Sequence, residues 1–60
     1  MEYRVYERSL LESVHHAMMT QAPYAIAEDL EEARSKLEDI ADFGLHGFII
    51  GEDMQVIATV

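Results

Sequence analysis

Apolar and polar residues alternate near the start of the chain. Tyr3 and Val5 are out of phase with Arg4 and Tyr6, and this period of two over residues 2–8 is typical of a β-strand. The segment also contains several residues that favour strands. We therefore predict an edge or semi-exposed strand here.

The last third of the chain is apolar in runs rather than in alternation. Residues 46–50 and 55–60 are rich in β-branched and aromatic side chains, which favour strands. Residues 51–54 between them begin with a glycine and can form a turn. The pattern predicts two strands joined as a hairpin.

A helical period separates these regions. Leu30, Ala33, Leu37 and Ile40 recur at spacings of three and four, which places them on one face of a helix over residues 30–43. Before this run, Asp29 suits the N-cap and Glu32 completes a capping box. After it, Gly44 suits the left-handed position that ends many helices. Two pairs of opposite charge at i,i+4, Glu32 with Lys36 and Arg34 with Glu38, add to the prediction.

Residues 9–20 fit two structures. Ser9 and Glu12 have the spacing of a capping box, and a helix would align Leu10, Val14 and Ala17 on one face. The alternative is a strand over residues 14–20 that pairs with the first strand, although no Gly, Asn or Pro is present to form the tight turn. We favour the helix. Residues 24–27, after Pro23, are either a brief strand or an extended entry to the long helix.

The elements together indicate an α+β fold. A small antiparallel sheet packs on one long amphipathic helix, with residues 9–20 as a second helix or alternatively a strand. The chain has 60 residues, which form a single small domain. The pattern leaves the strand order open.

Acidic residues outnumber basic ones by 12 to 4, giving a formal net charge of -8. Nucleic-acid binding draws its affinity from Lys and Arg on phosphates, so the charge argues against nucleic acid as a direct partner. Anionic membrane surfaces are disfavoured for the same reason. There are no cysteines, and no apolar run approaches the about 20 residues of a membrane helix. We expect a cytoplasmic protein.

Residues suited to catalysis are few. His15 and His16 are adjacent, so on a helix they point about 100° apart and do not easily share a metal ion. Glu12 and His16 form an i,i+4 pair, which is more often a surface hydrogen bond than a metal site. The serines lack a nucleophile motif, and the glycines lack a phosphate-binding pattern. We expect no enzyme activity, no cofactor and no bound metal.

The strongest chemical feature is an acidic face on the long helix. Near the C-terminal end of a helix the dipole disfavours acids, so local stability does not explain all of them. One interpretation is a surface that binds a basic or nucleic-acid-binding protein, and the other is an ordinary solvated face. The candidate partner-binding residues are Glu28, Glu31, Glu32, Glu38, Asp39 and Asp42.

The hairpin strands are apolar on both faces, and such strands are usually covered on both sides. The long helix covers one face. Either residues 9–20 cover the other, or a second copy of the chain does, and we predict a homodimer. The candidate dimer or sheet interface comprises Phe48, Ile50, Val56, Ala58 and Val60.

In size, acidity and lack of catalytic residues the chain resembles, in type only, small accessory proteins of phages and mobile elements. That resemblance implies a protein that binds and inhibits a host protein. The leading hypothesis is therefore a non-enzymatic inhibitor or regulator of a protein partner. The alternative is a structural or small-ligand-sensing homodimer with an intersubunit groove near Tyr24 and His46.

Overall fold

A computed structural model describes all 60 residues and shows an α+β fold. The four strands form one antiparallel sheet, with a helix on each face. Neither helix is long and apolar enough to cross a membrane. In chain order the elements are β1 (Tyr3–Arg8), α1 (Val14–Thr20), β2 (Ala25–Ala27), α2 (Leu30–Asp42), β3 (His46–Ile50) and β4 (Val56–Thr59).

The strand order is β2-β1-β3-β4, so β1 is an inner strand. The strand predicted at residues 2–8 is confirmed and is partly exposed, but the alternative that places it at an edge is wrong. β1 pairs with β2 through Val5 and Ala25, and with β3 through Val5 and Ile49. Alternation along one strand does not reveal how many neighbours the strand has, because backbone pairing leaves no trace in side-chain polarity.

The helix α2 confirms the prediction for residues 30–43 to within one residue. Its N-cap is Asp29, whose side-chain oxygen accepts a hydrogen bond from the Glu32 backbone N–H at 2.7 Å. Its apolar face packs on the sheet and closes a core that includes Val5 and Ile49. The buried α2 residues are Ala33, Leu37 and Ile40.

The helix α1 confirms the helical alternative for residues 9–20 but begins later than Ser9. Its N-cap is Ser13, whose hydroxyl oxygen accepts from the His16 backbone N–H at 3.1 Å. Ser9 instead begins a turn, in which the Glu12 backbone N–H donates to the Ser9 carbonyl at 3.1 Å. Leu11 is 100% exposed, so the turn takes the apolar residues of this region away from the core.

The second face of the sheet is covered by α1. Ala17 is fully buried there against Tyr6, Phe48 and Ile50, and Val14 and Met18 pack around this cluster. The chain therefore has two cores, one on each side of the sheet, with no residue in common.

Two glycines fix the connection from α2 to β3. Gly44 has φ +77°, the left-handed conformation predicted for the helix end. Gly47 lies so close to β1 that an added Cβ would be 2.4 Å from the Tyr6 carbonyl oxygen. A side chain at Gly47 would separate the two strands.

Candidate functional site

Three acidic residues and one serine form a straight row on the solvent side of α2. Glu31, Ser35, Glu38 and Asp42 follow one another at spacings of four, three and four, so they share one face of the helix. This row, called the outer stripe below, lies opposite the buried face and is about 16 Å long. All four residues are exposed.

No basic side chain of the chain pairs with the outer stripe. The predicted ion pairs Glu32–Lys36 and Arg34–Glu38 do not form, and the two ion pairs present are Arg4–Glu2 and His16–Glu12. Arg34 and Lys36 lie on α2 on either side of the stripe. The carboxylates of the stripe are therefore free to bind a cation from another molecule.

The other predicted partner-binding acids differ from the stripe in their surroundings. The Glu32 carboxylate accepts from the Glu28 backbone N–H at 3.3 Å, so it belongs to the capping of α2. Asp39 is half-buried, and Glu28 precedes the helix. Of the six acids in the predicted set, the structure thus places Glu31, Glu38 and Asp42 together on one line.

The structure divides the predicted sheet interface. Phe48 and Ile50 are buried beneath α1 within a single chain, so they are not available to a second copy. Ala58 packs at the margin of the core under α2. Val56 on β4 and Val60 just after it remain 43% and 40% exposed. The interface prediction is wrong for Phe48 and Ile50 because residues 14–20 cover them.

Sequence reasoning missed Ile57 and Met54, which are 39% and 60% exposed next to Val56. The pairing of β4 with β3 shifts between Ile49 and Ile50, which is a β-bulge. A bulge adds one residue to one strand, so the regular alternation of side chains between the two faces of the sheet is interrupted there. The available signal was the run of three apolar residues, Val56, Ile57 and Ala58, which does not alternate with polar residues.

The histidines are not gathered into a metal site. His16 Nδ1 lies 2.8 Å from Glu12 Oε2, a surface pair as the spacing predicted. No three His, Asp or Glu side chains lie close enough together to hold a metal ion. His46 begins β3, while Tyr24 lies just before β2, with β1 between them.

One hollow, with a volume of about 150 Å³, lies between Arg4, Met18, Ile50 and Met54. Sites for drug-sized molecules generally measure about 300–1,000 Å³. The hollow is therefore small for an organic ligand, and within one chain His46 is not among the residues that line it.

No known protein family, curated protein or solved structure matches the chain.

Proposed function

We propose that the chain is a non-enzymatic binding protein that inhibits or regulates a basic protein partner through the outer stripe of α2. The observation that carries this proposal is that Glu31, Glu38 and Asp42 are aligned, exposed and without a cationic partner in their own chain. An aligned row of free carboxylates complements a row of Lys or Arg side chains.

The positions of Glu38 and Asp42 support a role outside the helix. Both lie in the C-terminal half of α2, whose last turn contains no basic residue. An acid in the last turn of a helix generally costs about 0.3–1 kcal/mol, and Asp42 lies in the last turn of α2. Neither side chain caps the helix or pairs with a cation, so nothing within the chain offsets this cost. Binding to another molecule would.

The size of the stripe indicates what kind of surface it fits. Duplex DNA carries one negative charge per about 1.7 Å of its axis, whereas three carboxylates over about 16 Å are much sparser. The stripe therefore suits a small basic patch on a protein better than a whole DNA-binding cleft. An inhibitor acting in this way would cover part of a partner's phosphate-binding surface.

The test compares two triple variants of equal charge. The first neutralises the stripe with Glu31→Gln, Glu38→Gln and Asp42→Asn. The second neutralises exposed acids elsewhere with Glu2→Gln, Glu7→Gln and Glu52→Gln. Each carries three fewer negative charges than the -8 of the parent chain, that is -5.

Each protein is immobilised and exposed to a lysate of its host at low salt, then eluted with rising salt. We expect a basic protein to bind the parent chain and the second variant, and to be lost from the first. Elution by salt is expected because exposed charges are screened beyond about 10 Å at 0.1 M. Equal capture by both variants would show that the stripe is not the binding surface.

A further inference from the structure

The outer edge of β4 is open and has no ionisable side chain. β4 pairs only with β3, so its other side has no strand beside it. The segment from Met54 to Val60 contains no ionisable side chain. Several of its apolar residues, including Val56 and Ile57, remain exposed. Open edges of this kind are usually shortened, charged or covered, because they can pair with another strand.

The side chains of this segment match a second copy of themselves. Residues 56–60 are Val, Ile, Ala, Thr and Val. The two residues on each side of Ala58 are all β-branched, so the segment is symmetrical in side-chain shape about Ala58. Antiparallel self-pairing centred on Ala58 sets Ile57 opposite the partner's Thr59 and Val56 opposite the partner's Val60. Each of these pairs is β-branched against β-branched, a favourable cross-strand combination. The small Ala58 meets itself at the centre.

The backbone supports the same pairing. The Val60 N–H donates to the Gly47 carbonyl at 3.0 Å, so Val60 directs its backbone groups towards β3. Backbone groups of successive residues in a regular antiparallel strand point to alternate sides, and the pairing with β3 is regular from Ala58 to Val60 because the β-bulge lies before Ala58, at Ile57. Thr59 therefore presents its N–H and C=O on the open side, where a second strand would bind them.

We propose that two copies of the chain pair through β4, antiparallel about a two-fold axis at Ala58, to form one eight-stranded sheet. Like charge opposes self-association wherever the acids are exposed, since each copy carries -8. The β4 edge adds no ionisable side chain to that repulsion. Because both copies use the same β4 edge, the pairing leaves no β4 edge for a third copy to join.

The other edge of the sheet is less suited to pairing. β2 has only three residues, Ala25–Ala27, and Pro23 lies just before it. Short edge strands and proline both discourage strand addition. Glu28 and Asp29 follow β2 directly, so charged side chains flank this edge.

The pairing has a geometric consequence for the acidic surface. A two-fold axis that relates antiparallel strands of one sheet is perpendicular to the sheet, so equivalent faces lie on the same side. Both α2 helices, and with them both outer stripes, then lie on one face of the dimer. The dimer stands independently of the proposed function, because its test measures mass and not the capture of a partner.

The experiment measures molecular mass by light scattering and sedimentation over about two decades of concentration. We expect the parent chain to approach twice the 6.8 kDa of one chain as concentration rises. Thr59→Pro removes the outward N–H without removing a hydrogen bond to β3, and it should leave only the monomer. Circular dichroism reports whether that variant is folded.

A pair of lysine variants completes the test. Thr59→Lys should also give a folded monomer, whereas Ile26→Lys, with the same charge on β2, should keep the mass of the dimer. A parent chain that stays monomeric at every concentration would overturn the proposal. So would a dimer that survives both Thr59 variants, or one that Ile26→Lys abolishes.

Discussion

The rings of Tyr6 and Phe48 stack, with centroids 5.4 Å apart and planes inclined by 17°. The two residues face each other in the register of β1 with β3. Both are buried beneath Ala17 of α1. The stack thus joins the two inner strands and at the same time forms the surface on which α1 packs.

Replacement of Phe48 by a small residue should therefore strongly lower the free energy of unfolding. Phe48→Ala removes a fully buried ring, and large-to-small changes of this kind cost about 3–5 kcal/mol. In so small a domain this cost is comparable with the whole free energy of unfolding, so we expect the variant to show no cooperative unfolding transition in urea. Tyr6→Phe keeps the stacked ring and should change the free energy of unfolding by less than about 1 kcal/mol. Equal effects of the two substitutions would contradict the role given to the stack.

Gly44, after α2, and Gly47, within β3, should respond differently to substitution by alanine. Gly47→Ala places a methyl group against the Tyr6 carbonyl oxygen, a backbone atom that cannot move without separating β1 from β3. We expect this variant not to fold. Gly44→Ala meets no atom within 4 Å but must hold φ +77°, which costs about 1–2 kcal/mol. Circular dichroism and thermal unfolding distinguish the two, and a stable Gly47→Ala would refute the close approach.

The stripe residue Asp42 should limit stability. Asp42→Lys replaces an acid with a base in the last turn of α2, where the dipole favours positive charge. We expect the free energy of unfolding to rise by about 0.3–1 kcal/mol, while binding to a basic partner weakens. Urea titration and the capture experiment measure the two effects on the same variant. A fall in stability would mean that Asp42 has a structural role in the isolated chain.

The start of α1 can be tested with two serines. Ser13→Ala removes the oxygen that caps the His16 N–H and should cost about 0.5–2 kcal/mol. Ser9→Ala should be nearly neutral, because the Ser9 contacts in the turn are made by its backbone. Thermal unfolding of both variants measures the difference. A larger loss for Ser9→Ala would restore Ser9 as the cap.

The sequence predicted the elements that have strong local signals. The period of α2, its N-cap Asp29 and its terminal Gly44 all act within one or two turns of the helix, so they can be recognised without tertiary contacts. Both strands of the terminal hairpin were predicted for the same reason. The α+β class follows from these elements.

What the sequence left open depends on contacts between distant residues. The inner position of β1 depends on pairing with Ile49, more than 40 residues away in the chain. The burial of Phe48 depends on α1, whose start was misplaced because Ser9–Glu12 and Ser13 both satisfy the rules for a cap. For the acidic face, the composition shows the charge but not the role of each acid. The structure shows that the Glu32 carboxylate takes part in the capping of α2, whereas Glu38 and Asp42 have no cationic partner.

The two cores of the sheet share no residue, and α1 contributes a single fully buried side chain, Ala17. Detachment of this seven-residue helix would open the core beneath it without touching a residue of the core under α2. Native-state amide exchange should accordingly resolve two classes of protection, with α1 opening sub-globally while α2 and its side of the sheet stay closed. In that opened form the Tyr6–Phe48 stack is exposed to solvent.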